Sequence, residues 1–194
     1  MGEEGRLTGA ELSDGTILEA DVAIIGIGVL PNTGVAEAAG LEIENGIKVD
    51  AQLRSSDPSI FAIGDCTSFP HEGRRIRFES VGNAIDQAQT VAKIIAGHHM
   101  AYKMNPWFWS DQFGVKLQIA GLSAGYETVV TRAHADGSRS HWYYADDKLM
   151  AIDAINDPSA HMICKRLIKQ GKSASPEQAA NPAYDLKQLI TKEL

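Results

Sequence analysis

Apolar and polar positions alternate around a polar break at the start of the chain. Arg6–Leu12 and Thr16–Val29 flank Ser13-Asp14-Gly15, and an Asp-Gly pair suits a tight turn that needs positive φ. The pattern predicts a β-hairpin. Its second arm becomes continuously apolar from Val22 to Ile25, as a strand buried on both faces does. An isolated hairpin is barely stable in water, so these strands are expected to join a larger sheet. Pro31-Asn32 ends the run, and Gly34–Leu41 reads as a short helix closed by Gly40. Residues 46–56 read as a strand and a polar turn, punctuated by Asp57-Pro58. Ile60–Ile63 then predicts a buried strand that stops at Gly64-Asp65, and Thr67–Glu79 reads as a loop.

A helix is predicted next. Ser80 suits an N-cap, Ala84, Ile85, Ala88, Val91, Ala92 and Ile95 fall at helical spacing, and Gly97 ends the run. His98–Gly114 shows no period and reads as a linker. Beyond it the texture changes. Val115–Leu122, Tyr126–Ala133, Ser140–Asp146 and Lys148–Asn156 predict four short strands in an antiparallel meander. Asp157 and Pro158 cap a helix over 159–171, and a polar tail ends in a short helix. The expected fold is an incomplete α/β region to about residue 104, followed by a small α+β domain over 105–194.

Composition narrows the function classes. A chain of 194 residues with 44% apolar and 22% charged residues has a soluble, globular composition. Its net charge of −7 disfavours non-specific binding to nucleic acid or anionic membrane. No apolar run approaches the ~18 residues of a membrane span, and the first fifteen residues lack the apolar core of a signal peptide. Cys66 and Cys164 offer no disulfide framework or zinc spacing, and His98-His99 has no further ligands beside it. Reduced thiols, a cytoplasmic setting and no bound metal are expected.

Asp65 is the first candidate for chemistry. An acid at the carboxyl end of a buried strand stands where open α/β sheets bind ligands, and Gly64 lets a ligand approach the backbone. On spacing alone, a simple strand-ending Gly-Asp turn is the better explanation of the pair. The helix after Ser80 presents free N–H groups and a partial positive charge. Glu79 precedes it, and Trp107 and Trp109 are expected on opposite sides of an extended segment. Arg74, Arg75 and Arg77 form a basic run, read as a solvated loop or as a surface for an acidic partner.

Four blocks carry a resemblance: ADVAIIGIGVLPNTGVAEAAGL, DPSIFAIGDCTSFP, ESVGNAIDQAQTVAKIIAG and PWFWSDQFGVKLQIAGL. In this order they resemble the FAD-dependent ferredoxin and rubredoxin reductases, including the reductase components of aromatic-ring dioxygenases, within the pyridine nucleotide-disulfide oxidoreductase superfamily. Such reductases carry two Gly-x-Gly-x-x-Gly loops, for FAD and for NAD(P)H. Neither is present. Gly26-Ile27-Gly28 lacks the third glycine and runs into Leu30-Pro31. The chain thus resembles the C-terminal part of a reductase. The implied domains are the end of an NAD(P)-binding domain (1–32), the returning half of an FAD-binding domain (33–104) and a reductase C-terminal domain (105–194).

The resemblance implies roles. Asp65 holds the ribityl chain of FAD beside Gly64, the Val81 N–H faces the flavin, and Trp107, Trp109 and Glu79 lie near it. Gly82 stands where many relatives have Pro or Gln and is expected to loosen the helix entry. Gly26 and Gly28 stand as further cofactor-binding candidates. Electrons from NADH or NADPH are expected to pass through FAD to a ferredoxin, a rubredoxin or a similar iron-sulfur protein, from a monomer or a homodimer. The competing expectation is a non-catalytic fragment that serves as an oligomerisation or interaction module.

Overall fold

The computed structural model describes residues 5–190. The chain divides into two compact units, 1–30 and 31–194. Residues 191–194, the end of the predicted terminal helix, lie outside the described residues, as do residues 1–4.

The first unit holds the expected hairpin. Strand β1 (Gly9–Glu11) pairs antiparallel with β2 (Ile17–Glu19), Gly9 opposite Glu19. Its turn is closed by the Leu12 N–H on the Thr16 carbonyl (2.8 Å) and the Thr16 N–H on Asp14 Oδ1 (2.9 Å). The expected buried strand over Val22–Ile25 does not form. These residues are irregular and open to solvent, Ile24 at 96% exposure. A strand exists only through a neighbour that takes its N–H and C=O groups, and no described residue supplies one here.

The second unit begins with the short helix α1 (Gly34–Ala38), closed at Gly40 as expected. Strands β3 (Ile47–Lys48), β4 (Thr67–His71) and β5 (Arg74–Ile76) form one sheet in that order, β3 parallel to β4 and β4 antiparallel to β5. The expected loop over 67–79 is therefore mostly a hairpin. Glu72 and Gly73 take φ of 48° and 77° at its tip, the signature of a two-residue primed turn. Phe69 opposite Ile76 is its apolar pair, obscured in the sequence by the arginines around it. Arg75 is a structural tie: its Nη2 donates to the carbonyls of Val49 (2.6 Å) and Ser68 (2.5 Å).

Ile60–Ile63 is not a regular strand. Phe61 makes one isolated bridge with Arg54, and the Ala62 N–H reaches the Leu53 carbonyl at 3.2 Å. With a single bridge for a ladder, Ile60 and Ile63 stay more than a third exposed (37% and 40%).

Helix α2 (Val81–Ile95) starts at the expected cap, with the Asn83 N–H on Ser80 Oγ at 3.3 Å. Its buried face differs from the expected one. Gly82, Asn83, Gln87, Thr90, Val91 and Ile94 are buried, while Ile85 and Ile95 are exposed. Asn83 is satisfied locally: its Nδ2 donates to the Phe78 carbonyl (3.0 Å), and its Oδ1 accepts from the Tyr102 hydroxyl (2.8 Å). Tyr102 anchors the following segment, its N–H on the Ala51 carbonyl at 2.7 Å and its ring edge-on to Phe69.

That linker ends earlier than expected. Trp107–Gln112 is a strand, β6, paired antiparallel with β7 (Val115–Gly121). With β8 (Thr128–Ala133), β9 (Arg139–Ala145) and β10 (Lys148–Ile155) it makes a five-stranded antiparallel sheet in the order β6-β7-β10-β9-β8. The expected meander holds only for β8-β9-β10, because β10 returns to pair with β7. Helix α3 (Pro158–Lys169) packs on this sheet, with Ile163, Cys164 and Leu167 in one core with Trp142, Tyr144 and Ile152. Asp157 caps it through the Ala160 N–H (3.0 Å) and accepts from Ser140 Oγ (3.2 Å). Helix α4 (Pro176–Ala180) and a 3-10 turn (Leu186–Leu189) close the domain. Buried Arg132 holds them, donating to the carbonyls of Asn181 (2.6 Å), Pro182 (3.0 Å) and Tyr184 (2.9 Å). Among the described residues no helix is long and apolar enough to cross a membrane.

Candidate functional site

The site is built around the N-terminus of α2. Gly64 approaches it from the turn before β4, with φ of +82°, a conformation that L side chains resist. Its N–H donates to Oε1 of fully buried Gln87 on α2 at 2.7 Å. Its carbonyl accepts from the Thr67 N–H (3.1 Å) and Thr67 Oγ1 (2.8 Å), and Thr67 Oγ1 also lies 3.2 Å from Gln87 Oε1. The turn and the helix are thereby locked together. Gln87 Nε2 is buried without a hydrogen-bond acceptor among the described residues.

Asp65 follows in the same turn. The structure places it before β4, not at the carboxyl end of a strand, because 60–63 forms none. The outcome for the side chain still suits a ligand. Asp65 is exposed, and its Oδ1 accepts the Ser80 N–H at 3.2 Å, so the carboxylate is aligned on the entry of α2. Its Oδ2 has no hydrogen-bond partner among the described residues.

Ser80 ties three elements. It is buried, accepts from the Asn83 N–H, and lies 3.3 Å from the Trp107 carbonyl, to which its Oγ donates. The Val81 and Gly82 N–H groups have no acceptor within the helix, as first-turn groups do not. No acidic residue sits in that first turn. Glu79, just before the cap, is occupied by an ion pair with Arg77. Among the described residues, the carboxylate hydrogen-bonded at the positive end of α2 is that of Asp65.

Trp107 covers this helix end. A Cβ on Gly82 would lie 2.6 Å from Trp107 Nε1, so the indole rests directly on the glycine. Gly82 does not loosen the helix entry, as expected from sequence; it makes room for the ring. Trp107 stacks on Trp109 at 5.2 Å between centroids and 19° between planes. The expectation of opposite sides fails because residues two apart on a pleated strand share a face. Lys165 of α3 places Nζ 3.9 Å from the centroid of the Trp107 ring, a cation–π contact. Burial lowers the Lys165 pKa, and the Asp86 carboxylate on α2 opposes that shift.

The structure therefore gathers Gly64, Asp65, Val81, Trp107 and Trp109 around one helix end. Glu79 is nearby but paired. Gly26 and Gly28 belong to the 1–30 unit, in irregular exposed chain, where a Cβ on either would meet no atom within 4 Å. Cys66 is half-buried, and Cys164 lies in the C-terminal core; both thiols are free. Of the basic run, Arg75 and Arg77 are engaged in the fold, which leaves Arg74 exposed. Sequence reasoning missed Gln87, the packing role of Gly82, and Lys165. The polar stripe Asn83, Gln87 and Thr90, at spacings of four and three, was the available signal for the first.

Comparison with known proteins adds the following. Residues 1–88 match the pyridine nucleotide-disulphide oxidoreductase family, and residues 107–190 match the reductase C-terminal family. The chain is 40% identical over 192 residues to rhodocoxin reductase of Rhodococcus erythropolis, covering 97% of this chain and 45% of that protein. It is 37% identical over 191 residues to putidaredoxin reductase of Pseudomonas putida, with the same coverage of 97% and 45%. Its structure is similar to the ferredoxin reductase for the CYP199A2 system of Rhodopseudomonas palustris, with a TM-score of 0.89 and 46% identity over 97% of this chain and 47% of that one. The chain spans about half the length of the curated relatives it matches.

Proposed function

Since the chain carries a pyridine nucleotide-disulphide oxidoreductase region and a reductase C-terminal domain, we propose that it is the C-terminal part of an FAD-dependent NAD(P)H:ferredoxin or rubredoxin reductase. In that protein, electrons from NADH or NADPH reach an iron-sulfur partner by way of FAD. The names of its relatives support the reading: putidaredoxin reductase is known in a covalent complex with putidaredoxin. Similarity running over 97% of the chain to reductases weighs against a non-catalytic interaction module. We assign residues 1–32 to the end of the NAD(P)-binding domain, 33–104 to the returning half of the FAD-binding domain and 105–194 to the reductase C-terminal domain, in a cytoplasmic enzyme.

One observation carries the reading. An exposed carboxylate with an open oxygen, Asp65, is fixed by Ser80 at the positive end of α2, whose first turn holds no acidic residue. That pairing fits both halves of FAD chemistry. A carboxylate accepts hydrogen bonds from a polyol, and a helix N-terminus favours negative charge on a flavin ring. The buried, acceptor-less Gln87 Nε2 beside Gly64 is a further sign of an oxygen-bearing group nearby. FAD, when bound, would supply the exchange between hydride donors and one-electron acceptors.

The chain's own residues would bind and orient. Asp65 would hold the ribityl hydroxyls, with Gly64 admitting their close approach. The Val81 N–H and the dipole of α2 would lower the energy of negative charge on the ring. Trp107 and Trp109 would shield that face from water, and Lys165 would fix the first of these rings. No side chain here is required as a nucleophile or general base.

The test is the Asp65→Ala variant of the full-length reductase. Loss of a hydrogen bond to a charged group costs about 1.5–3 kcal/mol, or roughly tenfold to a hundredfold in FAD affinity. Flavin absorbance per polypeptide after gel filtration would fall accordingly. Undiminished pigment and turnover would overturn the assignment.

A further inference from the structure

A cleft elsewhere in the same unit shares no residue with the site above. A cleft of about 620 Å³ is lined by the tip of the β4–β5 hairpin, the segment 103–106, the start of β10 and the end of α3. That volume is in the range of small-molecule sites, roughly 300–1,000 Å³. Its apolar lining includes Met104, Leu149 and Ile168. Its charge is the unusual feature. Arg74, Lys103, Lys148, Lys169 and Lys172 line it, and among the described residues Glu72 supplies the one carboxylate of the lining. The chain as a whole has 18 Lys and Arg against 25 Asp and Glu. Glu72 itself lies 3.8 Å from His71.

Part of this charge is explained by the fold. Lys169 closes α3 and Lys172 follows it, where cations complement the carbonyl end of a helix. Arg74, Lys103 and Lys148 are not so explained. They come from three separate elements, all are exposed, and none forms an ion pair among the described residues. Like charges gathered in one concavity repel one another, and a low-dielectric floor sharpens their field. An anion seated among them relieves that repulsion.

We propose that this cleft binds a small polyanion with an apolar body, of the class of a nucleoside diphosphate. The cationic rim suits a pyrophosphate, since ammonium and guanidinium groups form charge-assisted bonds to phosphate oxygens. The apolar floor suits a flat base or a similar hydrophobic group. The site is independent of the flavin reading and uses none of its residues.

Isothermal titration of this chain with two probes, inorganic pyrophosphate and ADP, tests the proposal. Both are expected to bind at one site per chain and to weaken as ionic strength rises. ADP is expected to bind about tenfold more tightly, because its base buries on the apolar floor. The exposed double variant Lys103→Glu/Lys148→Glu is expected to weaken both by about tenfold or more. Lys93→Glu/Lys116→Glu changes the net charge equally on lysines outside the cleft and is expected to leave binding unchanged. Absence of saturable heat with either probe overturns the proposal. So does equal weakening by the two double variants, which would reduce the effect to overall charge. ADP binding no tighter than pyrophosphate removes the apolar body from it.

Discussion

Replacing Gly82 with alanine sets two effects of opposite sign against each other. In an isolated helix the change is favourable, by up to about 1 kcal/mol, because glycine loses more backbone freedom on folding. Here the new methyl would meet Trp107 Nε1 at 2.6 Å, Cε2 at 2.9 Å and Cζ2 at 3.2 Å. Reaching an ordinary separation of roughly 3.5 Å requires the indole to retreat by about 1 Å. The ring is poorly placed to do so. It is stacked on Trp109, overlain by Lys165, and carried by a strand whose carbonyl accepts from Ser80. Overpacking of this kind costs about 1–3 kcal/mol, so Gly82→Ala is expected to destabilise by ~1–2 kcal/mol net. The assay is urea denaturation followed by tryptophan fluorescence, run as a cycle with Trp107→Leu. In the Trp107→Leu background the same Gly82→Ala change is expected to be neutral or stabilising, a coupling of ~2 kcal/mol. A Gly82→Ala protein more stable than its parent, with Trp107 intact, would refute the packing argument and with it the shielded helix end.

Two further outcomes follow from buried polar groups. Gln87→Met keeps the side-chain volume but removes the acceptor of the Gly64 N–H, so a loss of about 1–3 kcal/mol is expected, with faster amide exchange at Gly64; unchanged exchange there would contradict it. His161 is buried in α3, its Nε2 has no partner among the described residues, and burial lowers its pKa below 6.5, with a smaller lowering from Lys165 and an opposing bond involving Ile119. The unfolded chain therefore takes up a proton at this residue before the folded one does. Its stabilising contribution is present above pH 6.5 and is lost as pH falls through the interval down to the folded pKa. Urea midpoints for His161→Met should vary less with pH across that interval than those of the parent, and an identical pH dependence would exclude the residue.

The legible parts of the fold are those specified by local chemistry. Asp14-Gly15 marked a turn, Ser80 and Asp157 marked helix starts, and each does so through its own side chain and the next few residues. What failed depended on neighbours. Val22–Ile25 and Ile60–Ile63 have the composition of buried strands, yet pairing partners, not composition, make a strand, and the described residues offer none beyond one bridge. The β4–β5 hairpin was hidden because its arginines serve the fold: Arg75 bonds two carbonyls and Arg77 pairs with Glu79. On α2 the apolar stripe misled because Asn83 and Gln87 are buried through hydrogen bonds that no periodicity can reveal. At the site, Gly64 and Asp65 were readable as a motif. Their lock to Gln87 and Ser80, and the seat that Gly82 offers to Trp107, needed the third dimension.

The place of β10 bears on how this domain is made. Among the described residues Lys148–Ile155 is the last strand in sequence and the middle one in its sheet, with β7 on one side and β9 on the other. Until it emerges during synthesis, β6–β7 and β8–β9 are two separate ribbons, each marginal in water and each with an open edge. Assembly therefore waits for a long-range closure, when one segment satisfies both ribbons at once. A ribosome that stops before Lys148 releases two sticky halves with no keystone between them.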